Sequence, residues 1–248
     1  MPHASKNNAH KYHEPDSASD LITFTGTQPL YHRELSLHPL YANNLNMSIP
    51  KIIGIVGASG SGKTTVAQAL LALCEKTCMV SQDNYYYDLP DNADAEKWNF
   101  DDPSVIDLAQ LAQDLTTLKN GSPVNGLRYI FSTHRRAPDT IHLHPAPSVI
   151  VEGLFLFSSA PLCQIFDFKV FIDIPLSTCL ERRVSRDVTE RGRIEKIVRR
   201  RWAEQVEPMY KKHVEPARES ADLVLDPHGL TPRQCAEKIF KMCGLTHP

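Results

Sequence analysis

Short apolar runs of strand type alternate with stretches of helical period along most of the chain. Lys51-Ile52-Ile53-Gly54-Ile55-Val56 predicts a first strand, and Thr65 to Leu73 a helix. Thr77-Cys78-Met79-Val80-Ser81 predicts a second strand ending at Asp83. Apolar residues at 108, 111, 115 and 118 give a helical stripe within Ile106 to Lys119, closed by Asn120-Gly121. Ser148-Val149-Ile150-Val151 predicts a buried strand ending at Glu152-Gly153, and Phe168 to Asp173 another, stopped by Pro175. A long helix then runs toward Arg191 and a second from Ile194 to about Glu219. Ala221 to Leu225 predicts the fifth strand of this kind. Thr231 to Cys243 predicts a last helix, with Thr231 as N-cap and Pro232 in its first turn. Strands separated by helical crossovers predict an α/β fold, a parallel five-stranded sheet with helices on both faces.

Two stretches break the alternation. Between Asn120 and Pro147 the pattern turns to short β-like pieces, Arg128-Tyr129-Ile130-Phe131 and Thr140-Ile141-His142-Leu143. This predicts an inserted β-hairpin lobe over about residues 121–147, placed to cover a substrate. Residues 1–46 form a polar extension, with Met1 to Asp20 rich in His, Asn and Ser, and are expected to be disordered or loosely packed. Met47 is the expected biological start, leading into the domain at 47–248.

Composition narrows the class. At 248 residues and 42% hydrophobic, the chain can bury one real core plus additions. A net charge of −2 argues against a general nucleic-acid binder. No run approaches the ~18 apolar residues of a membrane span, and the N-terminus lacks a signal-peptide core, so a cytoplasmic protein is expected. The six cysteines (74, 78, 163, 179, 235, 243) show no metal-like spacing and read as reduced, buried thiols. His142 and His144 share one strand face, but no partner at ligand spacing accompanies them.

The strongest chemical signal follows the first strand. Gly57-Ala58-Ser59-Gly60-Ser61-Gly62-Lys63-Thr64, with Thr65 behind it, is a complete G-x-x-x-x-G-K-[ST] phosphate-binding loop between a strand and a helix. Glycines let the backbone curl so that N–H groups point inward, and the helix N-terminus adds about half a positive charge. In this motif Lys63 spans the β- and γ-phosphates and the Thr64 hydroxyl ligates Mg²⁺.

Ligands of parallel α/β sheets sit outside the carboxyl ends of the strands, where Asp83, Glu152 and Asp173 lie. Asp83, before Asn84-Tyr85-Tyr86-Tyr87, is either a carboxylate facing an acceptor hydroxyl or an Asx-turn acid before a surface loop. Glu152 either holds Mg²⁺ through water or polarises the acceptor, or is an acid at a helix start; Asp173 reads as a structural turn. Residues 182–201 carry nine cations (182, 183, 186, 191, 193, 196, 199, 200, 201) against Asp187, Glu190 and Glu195. Gly192 interrupts them, which suits a lid able to close over a triphosphate; a solvated helix face is the alternative.

The combined set resembles the uridine kinase (uridine–cytidine kinase) family of P-loop kinases. The likeness rests on GASGSGKTT (57–65), SQDNYY (81–86), NFDDP (99–103), YIFSTHRR (129–136), VEG (151–153), RRVSRDVTERGR (182–193) and EPMY…VEPARESAD (207–222). It implies a P-loop kinase fold with a hairpin lobe and an arginine-rich lid. The implied activity moves the γ-phosphoryl group of ATP or GTP to the 5′-hydroxyl of uridine or cytidine, with Mg²⁺. Asp83, Lys63 and Arg186 are the implied catalytic residues, Asp83 positioning the hydroxyl. Tyr86 and Phe100 shape the pocket, Asp101 and Arg183 hold the ribose, and Tyr129 and His134 read the pyrimidine edge. Arg186, Arg191 and Arg193 reach the donor phosphates, and Thr64 and Glu152 lie at the metal. A homo-oligomer, often a tetramer, is also implied.

The chain departs from the pattern in three places. Arg201 and Trp202 stand where the family usually has a ribose-binding Gln and a Tyr, Leu127 where a proline precedes the hairpin tyrosine, and Asp102 where His is frequent. A guanidinium accepts no hydrogen bond, so ribose contacts at Arg201 must differ. Two rivals stay open: another P-loop small-metabolite kinase (phosphoribulokinase-like or pantothenate-kinase-like), and a nucleotide-dependent switch, for which no N-K-x-D element is found.

Overall fold

The computed structural model describes residues 49–74 and 76–245, so the extension at 1–46 and the start at Met47 lie outside the described residues. In chain order the first part holds β1 (Lys51–Gly57), α1 (Lys63–Leu73), β2 (Thr77–Ser81) and α2 (Leu108–Lys119). The inserted stretch carries β3 (Val124–Gly126), β4 (Tyr129–Ile130), β5 (Arg135–Arg136) and β6 (Ile141–Leu143). Then come β7 (Ser148–Gly153), α3 (Ala160–Cys163), β8 (Phe168–Ile172), α4 (Leu176–Thr189) and α5 (Glu195–Arg201). α6 (Glu207–Met209), β9 (Leu223–Leu225) and α7 (Pro232–Met242) complete it.

Five of the strands form one all-parallel sheet in the order β2-β7-β1-β8-β9. The apolar run of β1 is explained by its central place. Successive strand residues point to opposite faces, so Ile52 and Val56 join a core with Leu111, Leu115 and Leu118 of α2. Ile53 and Ile55 join the other core, with Val66 and Leu70 of α1 and Ile239 and Phe240 of α7. All four β1 side chains are fully buried, each contributing about 1.5–3 kcal/mol of transfer free energy. α7 starts as expected, with a capping box between Thr231 and Gln234.

Three elements differ from the sequence pattern. Ile106 falls outside α2 because Asp107 caps that helix, accepting from the Gln110 amide at 3.1 Å, while Ile106 bridges to Tyr86. The expected helix from Ile194 to Glu219 does not stay α-helical. After α5 it widens into π-type turns at Trp202–Val206 and Tyr210–Val214, then tightens to a 3-10 turn at Glu215–Arg218. Pro208 has no N–H for an i→i−4 bond, and the Glu207 amide reaches back five residues to the Trp202 carbonyl. The inserted stretch is two short antiparallel ladders, β3 with β6 and β4 with β5. Between α4 and α5 the chain turns at Gly192, φ +62°. His142 is bound to the Asn125 side chain at 2.7 Å, and the six cysteines are free thiols, three of them buried.

Candidate functional site

The phosphate loop is shaped by its glycines. Gly60 (φ +85°) and Gly62 (φ +91°) occupy left-handed backbone, and a Cβ on Gly60 would overlap the Cys179 carbonyl of α4. The Ser61 amide closes the curl on the Ala58 carbonyl at 3.0 Å, and Lys63 is the first residue of α1. Replacing Gly60 by alanine is therefore expected to lower stability by roughly 1–3 kcal/mol, read as an earlier urea midpoint. An unchanged midpoint would show that the loop is not under this constraint.

Strand register brings the acids to that loop. Glu152 of β7 pairs with Ser81 of β2 on one side and with Ile55 of β1 on the other. Gly57 and Asp83 each lie two residues beyond that row, so the lysine loop and the aspartate leave the same edge of the sheet. Asp83 sits in a 3-10 turn, Gln82–Tyr85. Glu152, 1% exposed, accepts from the Thr64 hydroxyl at 2.9 Å and from the Ser81 hydroxyl. Burial and the Asp83 charge push its carboxyl up, against Lys63 and the two hydroxyl donors. Thr64 and Glu152 are thus in direct contact, and the charges of Lys63 and Asp83 are both felt at Glu152. Glu152 has both oxygens engaged, and it orients Thr64 as the sequence pattern alone did not indicate. The oxygens of Thr64, Asp83 and Glu152 are hard donors of the kind that Mg²⁺ takes.

A second group lies beside the loop. Arg183 of α4 is buried and makes a fork with Asp101, at 2.9 and 3.1 Å, while reaching Ser59 Oγ at 3.1 Å. Burial opposes its charge, but Asp101 together with Asp187 and Tyr86 prevails and the guanidinium pKa is raised. Arg182 Nη1 comes within 3.5 Å of the Ser61 carbonyl. Thus Asp101 and Arg183, both expected to hold a ribose, are brought together with the phosphate loop.

The hairpin ladders complete the arrangement. Tyr86 is buried, donates to the Phe100 carbonyl at 2.9 Å, and packs its ring 5.2 Å from that of Tyr129. Phe100 stacks on His134 at 4.5 Å. His134 adopts φ +53°, unusual for a residue with a Cβ. Its pKa is lowered by burial, then by the Arg193 and Arg201 charges; burial chiefly pushes the Tyr129 phenol up to about 12. Both keep a buried polar atom without a partner, Tyr129 Oη and His134 Nδ1, among the described residues. Buried polar atoms are seldom left so. The hairpin is tied down by Arg136, whose Nε donates to the Tyr86 carbonyl at 3.0 Å and whose Nη2 reaches Asp107 at 3.1 Å.

Arg186, Arg191 and Arg193 converge on Asp187, a residue sequence reasoning counted only as one acid among the cations. Asp187 is fully buried. Burial pushes its carboxyl up, but the Arg186, Arg191 and Arg183 charges prevail and leave it below the usual range. Its spacing was the available signal, one helical turn after Arg183 on α4 and four residues before Arg191, which lies just past the end of that helix. Arg201 also belongs here. Its Nη2 donates to the Trp98 carbonyl at 2.7 Å, and burial, then Arg193, lowers its pKa.

A parallel sheet with a glycine loop running from its central strand into α1, and acids on the neighbouring strand ends, defines a P-loop nucleotide-binding kinase fold. The solved phosphoribulokinase of Rhodobacter spheroides shares that fold, with a TM-score of 0.51 at 17% identity, over 75% of this chain and 74% of the other. The chain belongs to the Phosphoribulokinase / Uridine kinase family, whose model matches residues 52–231. It is 38% identical over 186 residues to the uridine kinase of Enterobacter sp. (strain 638), covering 72% of this chain and 87% of that one. The uridine kinase of Shewanella frigidimarina is 37% identical over the same shares. The chain is thus a phosphotransferase acting on an alcohol, with a nucleotide as phosphate donor. Among the described residues, no helix is long and apolar enough to cross a membrane.

Proposed function

We propose that this chain transfers the γ-phosphoryl group of ATP or GTP to the 5′-hydroxyl of uridine or cytidine, giving the monophosphate. The observation that carries the acceptor assignment is the pair of unpartnered buried atoms, Tyr129 Oη and His134 Nδ1, beside the Phe100 stack. They are two polar atoms set among aromatic rings, which suits recognition of a pyrimidine edge. A purine would leave buried groups unpaired, a discrimination of ~10⁴ or more in sites built this way. The 37–38% identity to uridine kinases supports the same reading.

In this mechanism the loop amides and Lys63 bind the β- and γ-phosphates, and Arg186, Arg191 and Arg193 meet the charge on the transferring group. Thr64, held by Glu152, would hold Mg²⁺, which would supply neutralising charge to the donor phosphates. Asp83 orients the 5′-hydroxyl for in-line attack and takes its proton late, since a carboxylate is a weak base toward an alcohol. Asp101 and Arg183 position the ribose, and Tyr86 and Phe100 wall the pocket. Residues 121–147 would cover the nucleoside and 182–201 would close over the donor. We also propose a cytoplasmic homo-oligomer, a tetramer by analogy with the family, which light scattering checks.

An ADP-release assay across nucleosides, with ATP and with GTP, tests this reading. Turnover is expected to need uridine or cytidine; equal turnover without a nucleoside would point to a switch instead. His134→Ala is expected to raise the uridine KM roughly 10–100-fold, the cost of leaving a buried base group unpaired, with kcat little changed. An unaltered KM would place the base elsewhere. Because the His134 pKa lies below its ordinary 6.5, the ring stays neutral as pH falls through that value. The uridine KM should accordingly stay flat from pH 8 through 6.5 and climb only at lower pH, and a climb beginning above pH 7 would contradict the neutral imidazole.

A further inference from the structure

One carboxylate inside the fold gathers more cation than any other described here. Asp187 accepts from Arg186 Nε at 3.0 Å and from Arg193 Nη1 at 3.0 Å. Arg191 Nη1 lies at 3.3 Å and Arg183 Nε at 3.8 Å. The Arg193 amide also donates to the Asp187 carbonyl at 2.9 Å, which folds the turn after α4 back onto its last coils. Four guanidinium groups that would repel one another are held in one fan by one enclosed anion. Each guanidinium has five N–H donors, so bonding to Asp187 leaves further donors on Arg186, Arg191 and Arg193 to meet another anion, while Arg183 spends its own on Asp101 and Ser59.

The fan is joined to the phosphate loop and to the residues proposed to hold the acceptor. Arg183 carries it to Ser59 in the phosphate loop and to Asp101 on the acceptor side. Arg191 carries it to the hairpin, its guanidinium 5.9 Å from the Phe131 ring centre. Asp187 itself is 0% exposed, so its carboxylate is enclosed by the arginines rather than open to a bound molecule. We propose that Asp187 is the positioning residue of the donor-phosphate site: it fixes the aim of Arg186, Arg191 and Arg193 before the nucleotide arrives and trims their summed charge by one unit. The proposal rests on the reading that these arginines serve the donor phosphates.

Its signature separates aim from attraction. Asparagine in place of Asp187 keeps one acceptor oxygen but turns an amide N–H₂ toward guanidinium groups, so the fan splays. The net charge of the cluster meanwhile rises by one, which favours a polyanion in the ground state. A misplacement of about 1 Å costs about 10²-fold in rate when it affects oriented groups. The full-length Asp187→Asn protein is therefore expected to lose about 10²-fold in kcat while its Kd for ADP at low ionic strength stays equal or tightens. Asp187→Glu, which restores the charge but shifts the carboxylate by one methylene, is expected to recover about tenfold of that loss.

ADP affinity by calorimetry without nucleoside, and kcat with uridine and ATP, are the two readouts. A kcat for Asp187→Asn within about threefold of wild type, where the positioning effect should be far larger, overturns the proposal. So does an ADP affinity that weakens in proportion to kcat, since that marks a merely structural carboxylate. If Asp187→Asn does not fold, Asp187→Glu decides, and a wild-type kcat for it sinks the proposal. Absence of wild-type activity on uridine would instead count against the proposed acceptor, and the ADP comparison would still read the role of Asp187.

Discussion

Asp83→Asn is expected to cut kcat about 10³-fold, within the 10²–10⁴ range of a positioned general base, while uridine still binds at near wild-type affinity. The expectation follows from where the fold puts this residue. β2 ends at Ser81, in register with Glu152, and the 3-10 turn Gln82–Tyr85 carries Asp83 to the carboxyl edge of the sheet. There its charge is felt by Glu152, together with that of Lys63. The amide keeps the size of the side chain and a hydrogen-bond acceptor, so the aromatic cluster of Tyr86, Phe100 and Tyr129 keeps its shape. What disappears is the anion proposed to align the hydroxyl and receive its proton. Glu152 cannot substitute, because both its oxygens are bound by Thr64 and Ser81. Losing the neighbouring Asp83 charge also removes one of the influences that raise the Glu152 pKa, so Glu152 moves further toward its ionised form. Steady-state kcat alongside uridine calorimetry checks this; a variant turning over near the wild-type rate would remove Asp83 from the mechanism.

How much of this was legible in the residues varies with the range of the interaction. The five sheet strands and the phosphate loop are local signals, an apolar run or a fixed spacing, and the structure holds all of them. The start of α2 at Leu108 rather than Ile106 needed the capping bond of Asp107, still a short-range effect. The π-type turns after α5 were missed because a helical stripe does not reveal how the chain accommodates Pro208. The hairpin residues Tyr129 and His134 stood out only through the family resemblance, since two-residue strands carry almost no periodicity.

Pairings across long separations were not legible at all. Asp101 and Arg183 lie 82 residues apart, and nothing in either neighbourhood announces the fork between them. Asp187 was hidden differently. Charge counting treats an acid among cations as partial neutralisation, whereas burial by α4 and the turn after it makes that acid the centre of the group. The same tertiary enclosure accounts for the position of Arg201. Counted by sequence it is one more cation of a helix face; folded, it is wedged between the Trp98 carbonyl and the surroundings of His134.

Lys63→Ala is expected to lower kcat/KM for the donor roughly 10³-fold, the scale of removing one preorganised charge from a developing phosphoryl oxyanion. The loop amides and the N-terminus of α1 remain, so weakened nucleotide binding should persist. Arginine should restore little, because a planar fork does not replace a compact ammonium at the mouth of a glycine loop. A second consequence concerns pH. Lys63 is among the groups that hold the Glu152 pKa down against burial and Asp83. Without it the Glu152 carboxyl rises further, so it takes up a proton at higher pH and releases its grip on the Thr64 hydroxyl. The acid limb of donor kcat/KM in Lys63→Ala should therefore move to higher pH than in wild type. A limb that stays in place, measured over pH 5 to 9, would separate Lys63 from Glu152, and with it the idea that loop, metal ligand and aspartate share one electrostatic centre.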